Sequence, residues 1–463
     1  MTTPSADSYS CASGGTIAAG RTQFPHAALL DLISAATPES WINVNINSIQ
    51  SVFPASDYCP DYMSGVSNPA TVILAWSGFG WDSRNHRLVI WGGGHANSSG
   101  NYVFEWDGVS RNWALAFHSS NVVYNAVSGY VNADGDLHSP ISSHTYSNNV
   151  YLPKINRFLT FGGAAHSSGA SFVVRDGDSI LRGLPGGYTL DMALSGQGHV
   201  GGITSSNVHR NTTVGVDLPG ANAWYARDYL LANPSHITYD FSHVNGQAVY
   251  AEEGGKDVVY VSGRFGGGTS PNLLRIEYSE AGNASTDVVA KVGQSLNNIS
   301  SDAGAALDTA HNVFAYLGDA TYPIYGWDLK YAGPTNQNFR VPAAGFTGAG
   351  ATEFLAESLQ GMGLLYDANR GYFVAWSRGG KLWAITVPAG DPTPMSGWVV
   401  IKLADPASPR PALAAEMTVI GEDSGVHGKW KLAPDLDCYI GLQGNTAGNI
   451  WLFKPTGWTD PRA

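Results

Sequence analysis

Histidine changes charge near neutral pH, so a group of histidines can move protons, hold a metal or anchor loops through hydrogen bonds. In this 463-residue chain two histidines follow glycine runs: His95 in LVIWGGGHANSSGNYVFEWD and His166 in YLPKINRFLTFGGAAH. His144 in SHTYSNNVY and His243 in SHVNGQAVY share a second context, each seven residues before a tyrosine, Tyr151 and Tyr250. Arg264, Asp319, Arg378 and Asn445 stand in later glycine-bearing turns, while Glu357 and His427 precede later apolar runs. Together these types could remove a proton, return one and neutralise a carboxylate. They could equally be loop anchors: a Gly-Gly turn accepts histidine as a hydrogen-bonding residue, and the repeated Ser-His context fits a bond from side chain to neighbouring backbone. The cysteines lack the CxxC spacing of a zinc site, and the sequence leaves the cofactor, and metal binding by the histidines, open.

The elements that must position these residues repeat. WDSRNHRLVIWGGGH, YLPKINRFLTFGGAAH and YAEEGGKDVVYVSGRFGGG share one pattern, and three looser copies follow: ALDTAHNVFAYLGDA, LYDANRGYFVAWSRGG and KLAPDLDCYIGLQGN. In each, one strand ends, a polar turn of about five residues intervenes, and a β-branched or aromatic strand runs into glycine. A third strand is expected after each: NYVFEWD, ASFVVRD, NLLRIEY, PIYGWDL, KLWAITV and NIWLFKP. A fourth opens on tryptophan at Trp113 and Trp398.

Four antiparallel strands per unit, with Gly-Gly closing the second and Trp opening the fourth, resemble the kelch repeat of β-propellers. The resemblance spans residues 41 to 463 and implies an all-β propeller of about six four-stranded blades. Seven is the alternative, because GITSSNVHRNTTVGVDLPGANAWYARDYL is long enough to be either a degenerate blade or an insertion. A lone four-stranded sheet cannot bury both faces, so Trp and Val/Ile side chains must fill the wedges between blades. Tryptophans 76, 81, 91 and 106 are expected there, although an exposed one could stack on a sugar. The last unit lacks a fourth strand, and Trp41-Ile-Asn-Val-Asn-Ile matches one; the N-terminal segment is therefore expected to close the ring. Residues 1 to 40 read as an arm, with a short helix in HAALLDLISAAT.

In such a ring the loop between second and third strands shares a face with the start of the innermost strand. That face would gather His95, His166, Arg264, Asp319, Arg378 and Asn445 with His144, His243, Glu357 and His427 into one funnel. The leading expectation is a binding or structural propeller that presents this face to a glycan or protein, as a phage virion component of tail or capsid, with the N-terminal arm docking on virion neighbours. The alternative follows from the resemblance, since some propeller polysaccharide lyases use histidines, a tyrosine and an arginine in the central funnel. His144, His166, His243 and Arg264 would then be catalytic, with Tyr250 in doubt because it ends an inner strand and faces the other rim. His95, Asp319, Glu357, Arg378, His427 and Asn445 would bind.

Composition narrows the classes. A net charge of -12 without a basic run disfavours nucleic acid. No segment has the apolar length of a membrane span, and no export signal is visible in the chain as given. A Gly/Ser/Asn/Thr-rich, lysine-poor chain is expected on a virion or outside a cell. The three cysteines show no CxxC spacing, and nothing reproduces the Cys-Tyr site of the copper radical oxidases that share the kelch fold. No spacing singles out the carboxylate pair of a glycoside hydrolase. Four sequons, at Asn97, Asn211, Asn283 and Asn298, matter only in a secretory pathway.

Overall fold

A computed structural model describes residues 24–54, 69–95, 97–125, 129–166, 168–203, 218–232, 242–264, 273–279, 284–293, 302–330, 338–389, 396–405, 407–411, 425–443 and 447–463. The described strands form six four-stranded antiparallel blades, and each of the six repeat copies supplies the inner and second strands of one blade. Inner strands, in chain order, are Phe79–Asp82, Asn149–Leu152, Ser242–Glu253, Ala305–Asp308, Gly363–Asp367 and Trp430–Ala433. We number the blades one to six in that order.

The polar turns after the inner strands have a common chemistry in blades one, four and five. Asp82, Asp308 and Asp367 end their strands, and one carboxylate oxygen of each accepts two backbone N–H groups of the following turn. These bonds close an Asx-type turn and pin the hairpin register. The same turns tie blades together: Arg370 bridges Asp367 and, in blade six, Asp437 at 2.8 Å each, while Trp81 Nε1 donates to Asp435 at 2.7 Å.

Tryptophans fill the wedges. Trp91, Trp106, Trp327, Trp383 and Trp398 are completely buried, and Trp81 is 9% exposed. Ring closure follows the expected route. Strand Ser40–Asn43 pairs antiparallel with Asn449–Lys454 as the outer strand of blade six, with Trp41 opposite Phe453. Helix Ala27–Ala35 precedes it and buries Leu29, Leu30 and Ile33 against blades six and one. Lys454 Nζ donates to the carbonyls of Ser34 and Ala36, satisfying orphan acceptors at the helix C-terminus. Of the expected arm, residues 1–23 lie outside the described residues.

Blade two departs from expectation. The segment ASFVVRD is not its third strand: Val173–Asp176 pairs with Ser179–Gly183 in a separate hairpin, and the third strand is Tyr188–Asp191. The reason is local, because Asp176-Gly177-Asp178 supplies its own turn, with Gly177 at φ +55°. Among the described residues, the segment considered as a seventh blade contributes one strand, Trp224–Ala226, the outer strand of blade two, while residues 204–217 of it lie outside the described residues. A further hairpin, Val122–Asn125 with Gly129–Asn132, is inserted between blades one and two.

Candidate functional site

The site begins with three glycines. Gly92, Gly93 and Gly94 take φ values of +130°, +139° and +73°, a backbone that side chains other than glycine rarely adopt. A Cβ on Gly94 would overlap the backbone nitrogen of His144, so the bare glycine lets the blade-one loop lie directly on the segment entering blade two. Gly94 N–H donates to Ser142 Oγ at 3.0 Å. The Ala164 carbonyl, from the second-to-third loop of blade two, accepts both the His95 and the His144 N–H, at 3.2 and 2.9 Å. His166 N–H donates to Ser142 O at 2.8 Å, and its Nδ1 stands 3.3 Å from Gly94 O. Three loops are thereby laced through backbone bonds, and each carries one histidine.

The imidazoles converge around His144. Its ring centroid lies 6.2 Å from that of His95, edge to face, and 4.9 Å from the ring of Trp76. The Asn97 side-chain amide approaches His144 Nε2 at 3.0 Å; an amide N–H can only donate, so Nε2 accepts. That assignment agrees with the electrostatics, because burial foremost and the neighbouring His95 next push His144 down to about 4. Burial likewise holds His166 below the ordinary imidazole range. Both rings are neutral at pH 7, while the His95 side chain is exposed to solvent. Tyr130 of the inserted hairpin stands 5.8 Å from His166, and its neighbour Tyr124 is 70% exposed.

The chain of rings continues toward the axis. Tyr146 lies 6.0 Å from His144 and stacks on His427 at 6.3 Å. His427 is 1% exposed and is pushed down to about 3 by burial, with the charges of Lys429 and Arg378 acting in the same direction. Arg378 is thus on the same face, close enough to oppose protonation of His427.

Other expected members stand apart. His243 is buried between blades two and three, where its Nε2 donates to Pro185 O at 2.6 Å and its ring packs 5.0 Å from Phe161. Asp319 holds a turn of blade four, accepting the N–H groups of Thr321 and Tyr322 and the Tyr325 hydroxyl. Glu357 pairs with Lys381 at 2.8 Å. Tyr250 donates to Asp257 at 3.1 Å in the first-to-second turn of blade three, away from the histidines. The Arg264 side chain and Asn445 lie outside the described residues. Among the described residues no group of three or more His, Cys, Asp or Glu side chains could hold a metal ion.

No family model matches the chain, and no curated protein matches it in sequence. Solved structures similar to it are distant. The propeller of Dos1 aligns at 9% identity with a TM-score of 0.35, over 92% of this chain and 89% of the other. A gluconolactonase of Xanthomonas campestris aligns at 10% identity and 0.32, over 90% and 96%. A Bacteroides thetaiotaomicron protein of unknown function aligns at 10% and 0.28, over 91% and 98%. Likenesses this distant assign no activity, and the propeller assignment rests on the strand pairing itself.

Three residues of the site were not singled out by spacing. Trp76, grouped with the wedge tryptophans, instead stands half-buried at φ +46° over His144. Asn97 was visible only as a sequon, and Tyr146 only as part of SHTYSNN. The available signal was proximity to the histidines in sequence, since each lies within two residues of one or directly ahead of an inner strand.

Proposed function

We propose that the protein is a binding propeller whose loop face over blades one and two recognises a glycan. The carrying observation is the Trp76–His144–Asn97 group beside exposed His95, with the solvent-facing Tyr124 linked to His166 through Tyr130. It supplies aromatic faces for a pyranose ring together with neutral donors and acceptors for its hydroxyls, the mixture that polar-ligand sites use. A net charge of -12 favours neutral glycans over polyanions. Screening against immobilised neutral and acidic glycans, followed by titration calorimetry, tests this. Trp76→Ala is expected to weaken a hit roughly tenfold, consistent with an aromatic contact of about 1 kcal/mol or more. Absence of any hit, or full affinity in both Trp76→Ala and Tyr124→Ala, would sink the reading. Surface-like composition supports placing the protein on a virion or outside a cell, which particle proteomics can check.

A second reading, β-elimination on a uronic acid polymer, draws on the His144 and His166 imidazoles, which are neutral at pH 7 and so able to accept a proton, although burial makes them weak bases. Arg378 contributes positive charge to the same face. The test is ultraviolet absorbance from an unsaturated uronate; no rise with acidic polysaccharides removes it.

A further inference from the structure

The six inner strands surround a cavity of about 220 Å³ on the propeller axis. Its lining runs from mid-strand residues such as Gly80, Val150, Ala306 and Leu365 to Pro153 and Pro434 in the turns that follow, the end opposite the histidines. Between cavity and histidines the backbones at Gly78, Tyr146 and Gly428 meet so closely that a Cβ on Gly428 would overlap the Tyr146 carbonyl.

Its walls are mostly apolar, yet Lys431 lines it. Among the described residues this side chain has no hydrogen-bond or ion-pair partner. The situation contrasts with Lys429 two residues earlier, whose Nζ donates to Gly425 O at 2.9 Å, and with Lys454, which caps a helix. Lys431 is half-buried there, and an anion entering the cavity would pair with its ammonium while an apolar body filled the remaining space. Size is adequate, since an apolar cavity of about 150 Å³ accommodates benzene.

We infer that the axial cavity is a binding site for a compact apolar molecule bearing one carboxylate, with Lys431 as its counter-ion. Burial pushes the Lys431 amine down to about 8, which leaves it mostly protonated at pH 7 and able to pair with a carboxylate. The site is independent of glycan recognition on the loop face.

Titration calorimetry at pH 7 with benzoate and with its neutral isostere benzamide tests the assignment on the unaltered protein. Benzoate is expected to bind at least roughly tenfold more tightly, the range of a charge-assisted hydrogen bond. Lys431→Met, checked for folding by its melting curve, should reverse the order. Equal affinity for the two probes, no detectable benzoate binding at millimolar concentration, or an unchanged preference in a folded Lys431→Met would overturn the proposal.

Discussion

Trp41 pairs with Phe453 across the seam that closes the ring, their ring centroids 5.2 Å apart, although 411 residues separate them in the chain. Trp41 also contacts Trp376 and Trp430, at 5.4 and 5.6 Å, so a single side chain from the N-terminal segment joins blades five and six. Trp41→Ala is expected to cost about 3–5 kcal/mol, as large aromatic truncations in cores do. Chemical denaturation of the variant measures it; a loss below about 1 kcal/mol would mean that ring closure contributes little to stability.

A buried ion pair makes the second prediction. Arg227 and Asp287 have side chains with no solvent exposure, 2.9 Å apart, and Asp287 also accepts the Tyr229 hydroxyl and the Ser279 N–H. Removing the carboxylate leaves a buried guanidinium without its partner. Asp287→Ala should therefore destabilise by about 3–5 kcal/mol, whereas a surface pair such as Lys154–Glu252 should contribute under about 1 kcal/mol. Denaturation midpoints of Asp287→Ala and Glu252→Ala compare the two directly.

Acid should loosen the fold through its buried histidines. His26, His144 and His243 are lowered to about 4 and His427 to about 3, burial being the leading cause for each. A base whose folded value lies below its unfolded value binds protons more readily when unfolded. Stability is therefore fully present above the ordinary histidine range near 6.5 and falls as pH drops toward 4. Melting temperature followed from pH 7.5 to 4 should decline over that window, and His427→Gln should decline less steeply. A flat profile in the native protein would refute the linkage.

Glycine at position 94 is set by contact as well as by conformation. Gly94→Ala introduces a Cβ against the His144 backbone, whereas Gly135→Ala, at a similar φ of +86°, meets nothing within 4 Å. Both substitutions incur the left-handed backbone penalty of about 1–2 kcal/mol. Only Gly94→Ala should lose more than that and disturb the histidine resonances at His95, His144 and His166 in NMR spectra. Equal losses for both would show that the loop yields easily.

Much of the architecture was legible because its signals are local. Strand pairs running into glycine, an Asp at a turn and a tryptophan opening an outer strand are written within about fifteen residues of chain, and six copies of them specified six blades. Blade two resisted for the same reason: a hairpin with its own Asp-Gly turn looks identical, in sequence, to the second and third strands of a blade.

What the sequence by itself determined was the repeat, the ring closed by Trp41 and the loops that bear His95 and His166. Which loops touch depends on backbone approach between blades, and that is a property of packing. Gly94 against His144, Trp76 over its ring and His243 turned away to Pro185 were decided only in the tertiary structure. So was the setting of Lys431, because the lack of a counter-charge among the described residues is a fact about every neighbour at once and not about any stretch of chain.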